Sequence, residues 1–224
     1  MSRKSYLWLL TGVYLVWWVL MAIKPLDFFD WALENALVVM AAVLLVSTYK
    51  SFPLSRVSYT CIFVFLMLHA LGAHYTYAKV PYQAWLHALG WPGLESLGAG
   101  RNHFDRLAHF SFGLLLSYPM REVFVRIAQA RGFWSYYLPL DMTMAFSMIF
   151  ELIEWGAATV FGGDLGVAYL GTQGDPWDAQ KDMALASLGG LIAMVVTALV
   201  NLHQQRDFAR EWIESLRAKP PRRG

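Results

Sequence analysis

Three groups of side chains stand at spacings that can do chemistry. Asp105 and His109 are four residues apart, and Arg106 and His109 are three apart, so on a helix all three share a face. Glu151 and Glu154 are three apart, which puts two carboxylates on one stripe. Two close carboxylates cannot both ionise cheaply in a low dielectric, and a pair sharing a proton can act as a general acid or a proton carrier. Asp178 and Asp182, four apart, open an apolar run where a helix N-terminus favours negative charge; helix capping is the competing reading of that pair. His109, with Glu151 or Glu154, is the candidate for proton exchange. Arg101 and Arg106 are candidates to hold an anionic headgroup. Asp105, Asp175, Asp178, Asp182, His74 and His103 are expected to complete a binding surface around them. Metal ligation is a further use of imidazoles and carboxylates. Yet there is no His-x-x-x-His pair, and the single cysteine, Cys61, rules out a Cys cluster. His69 and His74 are five apart and His103 and His109 six apart, so each pair splits across helix faces. On spacing, no metal and no cofactor is expected. Gly-rich phosphate loops, nucleophile elbows and nucleotide fingerprints are absent from the sequence.

These residues need elements to carry them, and composition says what kind. Of 224 residues, 57% are hydrophobic and only 15% charged, against about 25% charged in soluble domains. Disorder is excluded by the apolar content, and a disulfide framework by the lone cysteine. A helix crossing a bilayer needs about 20 mostly apolar residues. Six runs qualify, approximately 6–23, 31–49, 57–78, 104–120, 139–161 and 183–202. The first follows Arg3 and Lys4 as a signal peptide would, but it ends in Ile23–Lys24–Pro25 without a small-residue cleavage site, so it is expected to be a retained span. The sequence thus predicts an all-α membrane protein, a bundle of six transmembrane helices forming one domain (1–202), with a basic cytoplasmic tail (203–224).

Charge sets the orientation. With the N-terminus inside, the inner segments carry Arg3, Lys4, Lys50, Arg56, Arg121, Arg126, Arg131, Arg206, Arg210, Arg217, Lys219, Arg222 and Arg223. Only Lys24, Lys79, Arg101, Arg106 and Lys181 remain outside. The positive-inside rule then puts both termini in the cytoplasm. Arg121–Gly132 reads as a basic inner loop, and Lys79–His103 and Gly162–Asp182 as long outer loops. The tail reads as an anchor on the anionic inner leaflet rather than a nucleic-acid site. In this frame the unusual polar residues gather toward the outer half of the membrane, brought there by spans three to six. Ionisable groups in a bilayer cost about 2.5–3.5 kcal/mol each on insertion scales and usually face a wet cavity or one another. A functional cavity is the preferred reading; glue between helices is the alternative. Ala184, Ala186, Ser187, Gly189, Gly190 and Ala193 mark the last span as one that another helix approaches closely.

Four segments together carry a resemblance: Gly72–Ala73–His74–Tyr75–Thr76–Tyr77, the Asp-Arg-x-x-His-Phe of 105–110, the Glu-x-x-Glu of 151–154, and Gly174–Asp175–Pro176–Trp177–Asp178 leading through Asp182 to Gly189–Gly190. Over nearly the whole chain they resemble the YjdF-type bacterial inner-membrane proteins, a domain-of-unknown-function family. From residue 102 to about 200 the chain is also similar to VanZ-like membrane proteins, with Asp105, His109, Glu151, Asp178 and Asp182 at matching positions, Arg106 for Lys, and Glu154 for Gln. The VanZ-like resemblance implies the neighbourhood of glycopeptide tolerance and envelope lipids. The expectation is a multi-pass inner-membrane protein whose polar cavity, on the periplasmic side, handles an envelope lipid or amphiphile by binding, transport or headgroup chemistry. Its partners would be membrane lipids, with no nucleic acid. A metal-assisted intramembrane hydrolase, a proton-coupled small-solute transporter and a structural or assembly protein are the alternatives.

Overall fold

The computed structural model describes residues 2–92, 101–161, 172–204, 207, 209 and 210. Most of the tail from 205 onward therefore lies outside the described residues, as do 93–100 and 162–171 of the two outer loops. The described elements are helical: α1 (Arg3–Ala22), α2 (Phe28–Thr48), α3 (Arg56–His74), the short α4 (Tyr82–Ala88), α5 (Phe104–Arg126), α6 (Trp134–Phe161) and α7 (Asp178–Gln204). The first three start at side-chain caps. Ser2 accepts the Ser5 N–H, Asp27 accepts those of Phe29 and Asp30, and Ser55 accepts that of Ser58, satisfying donors that a helix start leaves free.

Contacts between helix ends show that the six long helices alternate in direction. At one end the Tyr6 hydroxyl meets that of Thr60 at 2.5 Å, Arg3 lies over the Tyr49 ring, and the Asn201 amide donates to Tyr136. At the other end His74 Nδ1 meets the Met21 carbonyl at 2.9 Å, and the Leu26 N–H reaches the His74 carbonyl. α1, α2, α3 and α7 are long and apolar enough to cross a membrane by length and composition. α5 and α6 are also long, but they carry the internal charges Asp105, Arg106, Arg121, Glu122 and Arg126, and Asp141, Glu151 and Glu154.

Burial is inverted relative to a water-soluble protein. Arg121 is 1% exposed and Glu122 fully buried, while Val16, Val46, Val160 and Leu202 are 63–78% exposed. Charged side chains are almost never fully buried in globular cores unless paired, and a soluble monomer does not carry an apolar surface this continuous. The arrangement belongs to a bundle solvated by hydrocarbon, with its polar groups satisfied inward.

Several boundaries differ from the sequence reading, for physical reasons. α5 does not end at 120: it continues to Arg126, so the first part of the expected inner loop is helix. Glu122 holds that turn inside the bundle, accepting the Ser55 N–H at 2.9 Å, the Ser58 hydroxyl at 2.5 Å and Arg126 at 2.7 Å. Arg126 also donates to the Pro53 carbonyl and covers the Phe52 ring, and Arg121 pairs with Asp207 at 2.9 Å above the Tyr136 ring. α6 begins at Trp134 rather than 139, with Pro139 inside it. α7 begins at Asp178 rather than 183, so both acids of the Asp178/Asp182 pair are helical. α3 ends at His74, four residues early, and the expected outer loop contains α4.

The small residues do what was expected of most of them. Ala186, Gly189, Gly190 and Ala193 are buried, and α5 lies directly on the first three. A Cβ on Gly189 would overlap the Phe110 carbonyl oxygen, and one on Gly113 the Ala186 carbonyl oxygen. Two backbones in contact leave no room for side chains, the usual means by which helices approach in lipid. Ala184 is instead exposed, and Ser187 turns its hydroxyl to its own helix at the Met183 carbonyl.

Candidate functional site

The α5–α7 contact fixes the site, because it brings the first turns of both helices side by side. The segments leading into them are tied first. The Asn102 N–H donates to the Gln173 side-chain oxygen, and the Gln173 amide donates back to the Asn102 carbonyl. Arg101 donates to the Thr172 carbonyl and to Asp178. Arg106 pairs with Asp175 at 2.7 Å and stands 3.6 Å from Asp178, while Lys181 reaches Asp175 at 2.6 Å. The Lys181 hydrogen bond and the Trp177 N–H hold the Asp175 carboxyl down to about 2. Asp175 therefore stays charged, and stays paired, throughout the range in which an ordinary aspartate begins to protonate.

One turn deeper, carboxylates gather around one imidazole with no arginine or lysine paired to them among the described residues. Asp105 and His109 of α5 and Asp182 of α7 offer one ligand atom each, all within 4.8 Å of one another. His109 Nε2 is 3.7 Å from Asp105 Oδ1 and 3.5 Å from Glu151 Oε1 of α6. These distances lie beyond the usual range of a hydrogen bond. Asp182 Oδ1 and Glu151 Oε1 are buried without a hydrogen-bond partner, and the His109 ring is braced edge-on by Phe150.

Asp105 and His109 also face a cavity of about 290 Å³ between α2, α3, α5 and α6. It is lined by the apolar Leu37, Met40, Phe65, Phe112, Phe146 and Ile153 and by Asp30, Glu34, His69, Tyr77, Asp105, His109 and Glu154. Tyr77 is aimed there by its backbone. Thr76 and Tyr77 both adopt positive φ, 52° and 49°, a region that β-branched and bulky residues avoid. The turn folds the Tyr77 ring over Gly72, where a Cβ would collide with it, and brings its hydroxyl to 2.5 Å from His69 Nδ1.

With this geometry in hand, comparison with known proteins places the chain. The profile of the family described as predicted membrane protein (DUF2238) matches residues 6–203. The chain belongs to that family. It is 38% identical over 183 residues to the inner membrane protein YjdF of Escherichia coli K12, covering 81% of this chain and 84% of that one. No solved structure matches. This DUF2238 chain is thus a multi-pass inner-membrane protein of the YjdF type, as the sequence motifs indicated. Neither match shows the VanZ-like resemblance.

The expected site residues of the DUF2238 chain fall into three groups. Asp105, His109, Glu151 and Asp182 converge, and Glu154 lines the cavity beside them. Arg101, Arg106, Asp175 and Asp178 form a separate ionic junction above, so the arginines expected to take a ligand already face carboxylates. His74 and His103 do not line the cavity. His74 caps the last carbonyls of α1 through Met21. His103 precedes α5, its N–H donating to the Tyr82 hydroxyl; burial, and then Arg106 and Arg101, push its imidazole below the usual histidine value. Sequence reasoning left Asp30, Glu34 and Tyr77 out of the site, and placed His69 among the gathered polar residues without making it a site residue. Glu34 did carry a signal, as the one charge in an otherwise apolar run, and such a residue is a functional hypothesis by default.

Proposed function

We propose that this protein is a six-span inner-membrane protein, with both termini cytoplasmic, that binds an amphiphile in its cavity. One observation carries the reading: a single cavity is lined both by aromatic and aliphatic side chains and by carboxylates and imidazoles. Small-molecule pockets run from about 300 to 1,000 Å³, so 290 Å³ suits one end of a lipid, not a whole one. An acyl segment would lie against Leu37, Phe65 and Phe112, and the polar group against Asp105, His109 and Glu154. The acidic lining favours a head that donates hydrogen bonds or bears positive charge.

The test is the lipid content of protein purified in mild detergent. One amphiphile class should be enriched over its share of the bulk membrane, and Leu37→Trp, which fills the apolar side, should remove it while the melting temperature holds. A wild-type lipid profile identical to the bulk membrane would reject the cavity as a binding site.

The orientation rests on the excess of basic residues in the inner segments and on the alternating helix directions. A periplasm-active reporter should be silent when fused after Gly224 and active when inserted near Gly93. The opposite result would turn the cavity's polar end toward the cytoplasm.

A further inference from the structure

We propose that Asp105, His109 and Asp182 bind a divalent first-row transition metal ion, with Glu151 beside it as the outer carboxylate. The inference goes beyond the amphiphile reading and does not depend on it. Its first support is geometric. Ligand atoms about 2.1 Å from a tetrahedral ion stand about 3.4 Å apart. His109 Nε2 lies 3.7 Å from Asp105 Oδ1, and the Asp182 ligand atom closes the group within 4.8 Å. Side chains that only hydrogen-bonded to one another would stand closer, near 2.7–3.0 Å.

The second support is the state of the oxygens. Asp182 is 2% exposed, and its Oδ1 points into the group with no hydrogen-bond partner; Glu151 Oε1 is likewise alone. A buried acceptor without a donor carries its full desolvation cost. Three carboxylates around one imidazole also cannot all ionise cheaply in a low-dielectric interior without a cation. The nearby arginines are engaged elsewhere, Arg106 with Asp175 and Arg101 with Asp178. A divalent cation answers the lone oxygens and the charge together.

The donor set narrows the ion. Carboxylates alone suit Mg²⁺, Ca²⁺ and Mn²⁺, while an imidazole shifts preference toward Fe²⁺, Zn²⁺ and their neighbours. One nitrogen with carboxylate oxygens therefore fits Mn²⁺, Fe²⁺ or Zn²⁺. Three protein ligands leave an open coordination position, and Asp105 and His109 put that position next to the cavity. A single-helix search for ligand spacing misses this site because its donors come from α5 and α7.

Metal analysis of the detergent-purified protein tests the inference. Wild type should carry about one equivalent of ion per chain, or take it up after stripping by chelator, with a rise in melting temperature on adding Mn²⁺ or Zn²⁺. Co²⁺ added to stripped protein should give a visible spectrum that His109→Gln abolishes. His109→Gln and Asp182→Asn should weaken binding by more than the roughly 10–100-fold typical of outer-shell changes, and Glu151→Gln should fall within that range. His74→Ala, remote from the group, should bind as wild type. Wild type that takes up no ion after stripping overturns the proposal and leaves the cluster to be neutralised by protons. Equal binding by Asp182→Asn and wild type would also overturn it, since the ion would then sit elsewhere. The wild-type uptake and Co²⁺ measurements decide the matter even if a variant fails to fold. Lipid enrichment without metal, or metal without enrichment, separates this inference from the amphiphile reading.

Discussion

Glu122→Ala should destabilise the protein by about 3–5 kcal/mol, the cost of stranding a buried charge by removing its partner. Glu122 is fully buried, and it holds three groups at once: the Ser55 N–H, the Ser58 hydroxyl and Arg126. Truncation leaves all three without it and joins α3 to α5 less firmly at this end. Glu122→Gln keeps the acceptor oxygen and loses only the charge, so its effect should be smaller. The double change Glu122→Leu with Arg126→Leu removes both charges together and should be milder than Glu122→Ala, a non-additivity expected of residues in one network. Unfolding in detergent, followed by melting temperature and by protein level in the membrane, checks the order. Equal losses in the single and double variants would show that the pair is not a unit.

Gly113→Val should be comparably damaging, and it should also disable the polar site. The new Cβ would meet the Ala186 carbonyl, and backbone cannot rotate away as a side chain can. Overpacking in a core costs about 1–3 kcal/mol, and more where the neighbour cannot give. Relief requires α5 and α7 to separate, which moves Asp105 and His109 away from Asp182. The control is Gly12→Val in α1, where a Cβ has nothing within 4 Å, so stability should be unchanged. Melting temperature and metal uptake measured on both variants decide it. Gly113→Val with wild-type stability would mean that the helices are not in backbone contact.

The contrast between these two residues shows what one dimension can and cannot give. The small-residue stripe of α7 is readable because Ala186, Gly189, Gly190 and Ala193 recur on one helix, and the close approach follows from their size. The convergence of Asp105, His109 and Glu151 is readable because intramembrane acids cost too much to scatter. Glu122 is not readable. Beside Arg121 and Arg126 it looks like part of a solvated loop, and only the Ser55 and Ser58 donors, more than sixty residues earlier, keep it inside. The particular partners of Arg101 and Arg106 are hidden for the same reason, since Asp178 and Asp175 lie about seventy residues later. The ligand group also crosses helices, so spacing within α5 alone hides it. Tyr77 depends on a turn at positive φ that no local preference of Thr or Tyr foretells.

The late position of α5's partners has a consequence for biogenesis. Arg101 and Arg106 find their counter-charges at Asp175 and Asp178, and Arg121 at Asp207, all of which leave the ribosome after α5 has already been offered to the bilayer. During that interval α5 carries exposed, unneutralised groups and is not itself among the helices apolar enough to cross by composition. The ionic junction and the glycine contact between α5 and α7 can form only once the segment from Asp175 through α7 has been made. Synthesis of that segment is therefore the step that supplies both the counter-charges of Arg101 and Arg106 and the backbone surface on which α5 packs.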